Sequence, residues 1–335
     1  MHRLMSKLDE KTLSLERVEE EPKGLTLKQV LVSHIRRTAI EIINLLLGYN
    51  WVYWLIGLAN KKLGWIESVF LVYPANDDYA LAYVYARRLP KIEWKPWFIG
   101  IFWENGKYGV KFAISAHNGH FRDPANKERM RGVVDRMEEL RKLFCAKRKT
   151  FAGTLPGILF AKRMLRETHE ADVTVGVVVK AIEKVKLFDG LRDDIPIVIL
   201  GGRGFIGRRV VASLPKENVY CVDIANGNGT SQSKTAEWPS HLKGQRVILV
   251  NIALNSALDG YLDRLWPGIV VVNEVYPEPS PETEKRLRSI GCVCYHIVGV
   301  RGGALPSFPH GYHGGIPCCA AWPSGQMEAL LFKVI

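Results

Sequence analysis

The chain of 335 residues is long enough for two domains with separate hydrophobic cores. Its composition, 47% hydrophobic and 24% charged, is that of a globular protein and excludes disorder over most of its length. The formal net charge of +12 favours an acidic partner, and charge alone admits nucleic acid, an anionic membrane, a phosphorylated cofactor or an acidic carrier protein.

Residues 1–24 are rich in charge, which predicts a loosely packed arm. They lack the apolar core of a secretory signal. We therefore expect a cytoplasmic protein whose six cysteines are reduced thiols. Cys292 and Cys294 alternate on a predicted strand and should point to one face. Because no second Cys/His pair at zinc-ligand spacing accompanies them, we predict no metal site.

The most apolar stretch spans residues 39–59, after a helix predicted to begin at Thr26. Lys61 and Lys62 follow it, and Glu41 lies within it, where a charge in a bilayer costs about 3 kcal/mol. We order three interpretations: buried or subunit-interface helices, an interfacial membrane helix, and a transmembrane span. A helical extension, residues 1–66, is thus predicted to mediate self-association or peripheral membrane contact.

From Ser68 the pattern becomes α/β, and residues 67–190 are predicted to form a substrate-side domain with linking helices. The turn at residues 150–157 is expected at the junction between domains. The predicted elements are a strand at 69–73, a helix at 76–88, a hairpin of 97–102 with 108–113 across Asn105-Gly106, a basic amphipathic helix at 122–149, and helices containing Met164 and residues 177–186.

A glycine-rich turn follows the apolar run 195–200, which predicts a short buried strand. The turn fits G-x-G-x-x-G and comprises Gly202, Arg203, Gly204, Phe205, Ile206 and Gly207. We expect Gly202 to allow the tight turn, Gly204 to let backbone amides approach a pyrophosphate, and Gly207 to bring the following helix against the strand. The helix N-terminus would add an anion site, so the motif predicts dinucleotide binding.

A second strand, residues 218–222, ends on Asp223, about twenty residues beyond the glycines. A carboxylate at this point accepts hydrogen bonds from ribose hydroxyls, which favours NAD over NADP. Arg203, Arg208 and Arg209 keep NADP possible, although a solvated helix face also explains them. Further strands at 246–250, 269–273 and 292–298 predict a doubly wound parallel sheet, with residues 191–335 as the dinucleotide-binding domain.

Local matches in a fixed order carry a resemblance to a known family from about Ser68 to Ile335. They are the Asn105-Gly106-Lys107-Tyr108 hairpin, the glycine turn, Tyr276-Pro277 after a strand, Gly302-Gly303 after the last strand, and Ile316-Pro317 before a predicted terminal helix at 327–331. The chain resembles the long-chain acyl-(acyl-carrier-protein) reductases and, more distantly, the shikimate and amino-acid dehydrogenases. The resemblance implies two α/β domains and adds Tyr276 to the cofactor-binding residues.

In such enzymes a cysteine thiol takes the acyl group from its carrier as a thioester, and a nicotinamide hydride releases it as an aldehyde. The family's cysteine position holds Ser324 here, while Cys318 and Cys319 lie slightly earlier. The resemblance therefore implies one of these two thiols as nucleophile, with His310 drawing its proton. His296 and His313 lie in the same tail, but no third ligand stands at a useful spacing for a metal.

Three functions remain open from the sequence. The first is an NAD(P)-dependent oxidoreductase acting on an aldehyde or an activated acyl group, with an acyl-carrier-bound or small-molecule substrate, and a homo-oligomer is possible. The second is a dehydrogenase of a small polar metabolite anchored near Tyr276 and His310. The third is a binding protein that kept the nucleotide site and lost its nucleophile. We expect no nucleic-acid partner.

Overall fold

The computed structural model describes residues 27–74, 80–81, 83–166, 168–223, 238–276, 278–308, 312, 314–323 and 327–335. The chain divides into two compact units. One comprises Glu19–Val173 with Arg301–Gln326 and is called the mixed-sheet unit. The other comprises the described residues of Thr174–Val300 with Met327–Ile335, and is called the parallel-sheet unit.

This division differs from the predicted boundaries 1–66, 67–190 and 191–335 in three ways. The N-terminal helices belong to the same unit as the first sheet. The chain changes unit between Val173 and Thr174, inside a helix, whereas the turn at 150–157 lies within the mixed-sheet unit. The segment Arg301–Gln326 belongs to the mixed-sheet unit, and no local feature of the sequence predicts this.

Nine α-helices occur in the described residues, and short 3₁₀ segments lie between them. The helices are α1 Leu27–Leu47, α2 Asn50–Leu63, α3 Asn118–Arg122, α4 Lys127–Leu143, α5 Leu155–Ala161, α6 His169–Phe188, α7 Gly207–Ser213, α8 Asn255–Asp259 and α9 Pro281–Ile290.

The strands of the described residues form two sheets. The strands are β1 Ile66–Val72, β2 Trp97–Glu104, β3 Lys107–Ala113, β4 Arg148–Phe151, β5 Ile197–Leu200, β6 Val219–Val222, β7 Val247–Asn251, β8 Ile269–Asn273, β9 Val293–Val300, β10 Gly303–Leu305 and β11 Ala329–Lys333.

The mixed-sheet unit has the strand order β10-β2-β3-β1-β4. β3, β1 and β4 run parallel, and β2 and β10 are antiparallel additions at one side. The predicted hairpin is confirmed, because Asn105 and Gly106 have φ values of 47° and 73°, as the tight hairpin turn requires. Alternate strand residues such as Leu71 and Phe112 pack with Met137 of α4 in the core.

The parallel-sheet unit has the strand order β11-β9-β8-β7-β5-β6. All neighbouring pairs from β6 to β9 are parallel, and β11 adds an antiparallel edge. β5, β7 and β8 are buried along their whole length, which explains their continuous apolar runs. The predicted fold class, two α/β units with a doubly wound parallel sheet and N-terminal helices, is confirmed.

Three predicted helices are wrong in part or whole, and each has a physical reason. The helix predicted at 122–149 is shortened by Pro124, which opens a 3₁₀ segment capped by Asp123, and by Cys145, whose φ of 49° is left-handed. The predicted helix at 76–88 lies partly outside the described residues, and its end is a 3₁₀ segment, Ala86–Lys91. Met164 lies in a turn between α5 and α6.

The terminal helix predicted at 327–331 is wrong, since Ala329–Lys333 is strand β11, antiparallel to β9. The local sequence MEALLF has high helix propensity, but the free edge of β9 supplies hydrogen-bond partners that propensity does not register. One of the matches behind the acyl-reductase resemblance is therefore absent.

The helices α1 and α2 are separated by a break at Gly48. No single helix in the described residues is long and apolar enough to cross a membrane. Leu31–Leu47 and Asn50–Leu63 together have the length and composition for a span, but they are bent by 86°.

Candidate functional sites

The glycine turn lies where the strand order of the parallel sheet reverses. β6 follows β5 on one side, and β7 pairs with β5 on the other. In open α/β sheets, ligands bind outside the carboxyl ends of the strands at such a switch point. The turn after β5 and the residues after β7 meet there, since Ile252 N donates to Leu200 O at 2.9 Å.

The glycines of the turn have distinct steric surroundings. A Cβ on Gly207 would stand 2.0 Å from Gly201 O, so the predicted role of Gly207 in close helix–strand contact is confirmed. The positive φ of the turn is at Gly201, 90°, rather than at Gly202 as predicted. Gly202 is needed because a Cβ would meet Cys221 Sγ at 2.2 Å. The doublet Gly201-Gly202 was the signal for this missed residue.

Gly204 is exposed on the outside of the turn. The nearest atom to an added Cβ is Gly201 O at 3.0 Å, a tight contact that the turn could relieve only by a small shift. The Gly204 amide donates to Gly201 O at 2.9 Å, which closes the turn. An exposed glycine backbone at this point is consistent with close approach of a ligand.

Asp223 lies beside the turn, at the end of β6. Its Oδ2 accepts a hydrogen bond from Arg203 N at 2.9 Å. The carboxylate is half-buried and therefore open to a further partner. Asp223 also raises the pKa of the neighbouring Cys221 thiol, after burial as the main cause. The sequence spacing between the glycines and Asp223 predicted an acidic group beside the turn, and Asp223 lies there.

Two of the arginines that could favour NADP binding contact the glycine turn itself. Arg209 Nη1 donates to Phe205 O at 2.8 Å, and its guanidinium stacks on the Phe205 ring at 4.2 Å. Arg208 lies over the same ring at 5.8 Å. Ile206 and Phe205 are half-buried at the entrance to α7. These contacts place Arg208 and Arg209 around Phe205.

A buried polar row crosses the carboxyl edge of the parallel sheet. Asn251, Asn273 and His296 occupy matching positions on β7, β8 and β9 and are each at most 1% exposed. Asn251 Nδ2 donates to Asn273 Oδ1 at 2.8 Å, and Asn273 Nδ2 lies 3.1 Å from His296 Nδ1. The row was missed because its members are distant in sequence, and His296 is a strand residue rather than part of the tail.

The polar row fixes the loops that follow the strands. Asn251 Oδ1 accepts from Ala253 N at 3.2 Å, and Asn273 Nδ2 donates to Val275 O at 2.7 Å. Ala253 is the residue that an added Cβ on Gly201 would touch. The loop after β8 continues to the half-buried Tyr276, the predicted cofactor contact. The row therefore connects the glycine turn to the loop that holds Tyr276.

A second group of polar side chains lies at the carboxyl ends of the parallel strands in the mixed-sheet unit. Tyr73 follows β1, Asn118 follows β3 and Thr154 follows β4. Thr154 N donates to Tyr73 Oη at 3.0 Å, and Thr154 Oγ1 donates to Asn118 Oδ1 at 2.7 Å. We call Tyr73, Asn118 and Thr154 the tyrosine cluster.

Gly153 makes the tyrosine cluster possible. Its φ is 56°, and a Cβ would stand 2.5 Å from Tyr73 Oη. His117 and His120 lie next to Asn118, with ring centroids 4.1 Å apart. The sequence analysis missed these residues. Tyr73 is the last residue of a predicted strand, Asn118 comes five residues after another and Thr154 lies in a predicted turn, so an argument from the carboxyl edge of the sheet would have found them.

Cys318 and Cys319, the predicted nucleophiles, form a 3₁₀ segment with Ala320 and are half-buried free thiols. Burial is the main cause that raises the pKa of Tyr73, and Cys319 lies near enough to add to it through its charge. Cys319 therefore lies within electrostatic range of Tyr73. His310, His313 and Ser324 lie outside the described residues, so the predicted His–Cys pair is not tested.

The remaining cysteines have structural surroundings. Cys292 and Cys294 are buried in one core cluster, as predicted for alternate residues on a strand. Burial raises the pKa of Cys292 to about 11 and that of Cys294 further. No group of three potential metal ligands occurs among the residues that the structure describes.

Three of the buried ionisable side chains in the described part of the mixed-sheet unit have pKa values shifted towards 7. Burial raises the pKa of Glu104 to about 7, against a backbone hydrogen bond from Trp322 that lowers it. Burial raises the pKa of Glu170 to about 7 as well. Burial lowers the pKa of Lys111 to about 7, and its ammonium lies over the Phe308 ring at 4.4 Å. These groups titrate near neutral pH.

Comparison with known proteins gives a limited result. Among solved structures, the chain is similar to a hetero-hexameric glutamate dehydrogenase from Thermus thermophilus in a leucine-bound form, with 15% identity and a TM-score of 0.36. The match covers 68% of this chain and 63% of that chain, which is less than two thirds of its length. No protein-family model and no curated protein matches the sequence. The acyl-reductase resemblance gains no support from these comparisons.

Proposed function

We propose that the protein is a nicotinamide-dinucleotide-dependent oxidoreductase. The observation that carries the proposal is the glycine turn at the switch point of the parallel sheet, with Asp223 beside it. Gly202 and Gly207 are required by the turn's own packing, and Gly201 by its positive φ, whereas Gly204 is exposed and an added Cβ there would meet only Gly201 O, at 3.0 Å. This combination supports a backbone that receives a pyrophosphate next to a carboxylate that receives ribose hydroxyls.

NAD(H) is the proposed cofactor. The carboxylate of Asp223 would repel the additional phosphate of NADP(H). Arg208 and Arg209, two of the three arginines that could offset this repulsion, contact Phe205, while Arg203 is exposed beside Asp223. Tyr276, at the end of the loop after β8, is proposed as a further cofactor contact.

The proposed substrate is an activated acyl group, and Cys319 is the proposed nucleophile. Its thiolate attacks the carbonyl carbon of an acyl thioester, and the carrier thiol leaves with a proton. A nicotinamide dinucleotide held by the glycine turn and Asp223 would supply the hydride that converts such a thioester into an aldehyde and a thiolate. Proximity to the tyrosine cluster favours Cys319 over Cys318 in this role.

Adduct mapping tests the nucleophile. The protein is incubated with a labelled long-chain acyl thioester without cofactor, and the labelled peptide is identified by mass spectrometry. We expect label on Cys319, lost in Cys319→Ala and retained in Cys145→Ala, the matched variant of an exposed thiol. NADH oxidation that depends on the thioester should follow the same pattern.

A second function, dehydrogenation of a small polar metabolite, is favoured by one observation. The described side chains at the carboxyl edge of the mixed sheet, Tyr73, Asn118 and Thr154, are polar and suit hydroxyl or carboxylate groups better than an acyl chain. Absence of both adduct and thioester-dependent oxidation, with NADH binding intact, would reject the acyl mechanism and favour this reading. If no substrate turns over, the binding-protein reading is favoured.

A further inference from the structure

The helices α1 and α2 are attached to the mixed-sheet unit by one face. Val52, Tyr53 and Gly57 are buried on that face of α2, and a Cβ on Gly57 would collide with Leu143 O of α4. Asn44 Nδ2 of α1 donates to Phe98 O of β2 at 2.8 Å. Asn60 Nδ2 donates to Phe144 O at 3.0 Å. Both helices are therefore held on the body of the unit.

The other face of these helices is apolar and exposed. It includes Leu45, Leu46, Trp51, Trp54, Leu55 and Trp65, of which Leu45 is 68% and Trp51 is 63% exposed. We call this surface the apolar ridge. No charged residue occurs between Glu41 and Lys61. Contiguous apolar surfaces of this kind mark interaction sites, because leaving them in water is costly.

The chemistry at the rim of the apolar ridge indicates what covers it. Exposed Lys61 and Lys62 follow the ridge at the end of α2, and Lys107 donates to Gly64 O nearby. Tryptophan and tyrosine side chains prefer the boundary between apolar and aqueous phases, and lysines beside them are attracted to anionic headgroups. Trp51, Trp54 and Trp65 supply the aromatic groups.

We propose that the apolar ridge binds the surface of a bilayer that contains anionic phospholipid. α1 and α2 lie in the interfacial plane, with the ridge in the boundary between headgroups and acyl chains and Lys61 and Lys62 at the phosphates. The net charge of +12 is complementary to such a surface, whereas two copies of the chain carry the same sign of charge. The ridge residues belong to neither candidate site, so the inference does not depend on the proposed function.

Vesicle flotation of the full-length chain tests this proposal. Vesicles of phosphatidylcholine alone are compared with vesicles that also contain phosphatidylglycerol. We expect flotation with the anionic vesicles, and a loss of at least about tenfold in the double variant Leu46→Glu/Trp51→Glu, because charges enter the buried face. Both residues are exposed, so the fold is retained. Leu187→Glu, at an 82% exposed position elsewhere, is the matched control and should float like the wild type.

A second variant measures the electrostatic contribution to vesicle binding separately from the apolar contribution. Lys61→Glu/Lys62→Glu should reduce binding to anionic vesicles by about tenfold and leave the apolar ridge intact. Circular dichroism verifies that each variant is folded. Absence of flotation in the wild type, or equal flotation of wild type and the Leu46→Glu/Trp51→Glu variant, overturns the proposal. Sedimentation as a dimer that the same variant dissociates, without flotation, assigns the ridge to a second copy.

Discussion

The two sheets present different groups at their carboxyl edges. The parallel sheet offers backbone, through the glycine turn, whereas the mixed sheet offers the side chains of Tyr73, Asn118 and Thr154. Backbone amides recognise a phosphate without changing their own charge, while side chains supply groups for a reaction. This difference is the basis for proposing cofactor recognition in the parallel-sheet unit and substrate chemistry in the mixed-sheet unit.

The two units also differ in whether their buried polar groups can change charge with pH. In the parallel sheet, Asn251 and Asn273 are carboxamides, which do not titrate and are joined by a hydrogen bond. In the mixed-sheet unit, Glu104, Glu170 and Lys111 are ionisable and have pKa values shifted to about 7. The contribution of the Asn251–Asn273 hydrogen bond to stability should thus be nearly independent of pH, and the stability of the mixed-sheet unit should vary around neutrality.

The largest stability effect is expected from Asn273→Leu. The substitution leaves Asn251 Nδ2 and Val275 O without their partner in a buried place, so the free energy of unfolding should fall by about 3 kcal/mol. Urea denaturation at pH 7 and pH 9 measures it. Asn218→Ala, which removes an exposed hydrogen bond to Asp194 O, is the control and should cost less than about 1 kcal/mol. A loss that changes strongly between the two pH values would contradict the distinction between the units.

Glu104→Gln tests the other half of the comparison. The pKa of Glu104 is raised from 4.5 to about 7 in the folded protein, so its contribution to stability is fully present below pH 4.5 and is lost as pH rises to 7. A neutral amide avoids that loss. At pH 8 we expect the variant to be more stable by about 1 to 2 kcal/mol, and at pH 5 the difference should shrink towards zero.

Unfolding curves across this pH window give the result, with Glu139→Gln on the surface of α4 as the control. Equal stability of Glu104→Gln and wild type at both pH values would show that Glu104 is ionised without cost in the folded state.

The smallest expected effect concerns cofactor choice at the parallel edge. Asp223→Ala should reduce the preference for NAD(H) over NADP(H) by about tenfold, because the carboxylate that repels the additional phosphate is removed. The fold should persist, since the lost contact to Arg203 N is at an exposed turn. Parallel titrations of both cofactors measure the ratio. A wild-type preference for NADP(H) would be incompatible with the role given to Asp223.

The sequence predicts what depends on neighbours along the chain. The unit from β5 through the glycine turn and α7 to β6, with Asp223 at its end, is found as expected. It was predictable because its apolar runs, its glycines and its acidic residue are close together in the sequence. The polar row Asn251–Asn273–His296 depends on the register of three strands and has no local signal. The strand β11 depends on an open edge of β9, and the return of Arg301–Gln326 to the mixed-sheet unit depends on tertiary contacts. Strand pairing and tertiary contacts of this kind override the local helix propensity of the sequence.

The central claim is that the glycine turn binds a nicotinamide dinucleotide, and calorimetric titration of wild type and Gly204→Val with NADH tests it most directly. Gly204 is exposed, and an added Cβ would stand 3.0 Å from Gly201 O, so the variant should fold after a small shift of the turn, which thermal unfolding verifies. The valine side chain would occupy the space of the pyrophosphate. Gly204→Ala serves as the intermediate case. We predict saturable binding of one NADH per chain in the wild type, weaker binding in Gly204→Ala, and none in a folded Gly204→Val. Unchanged NADH affinity in Gly204→Val, or no binding by the wild type, would contradict the account and leave the glycines a purely structural turn.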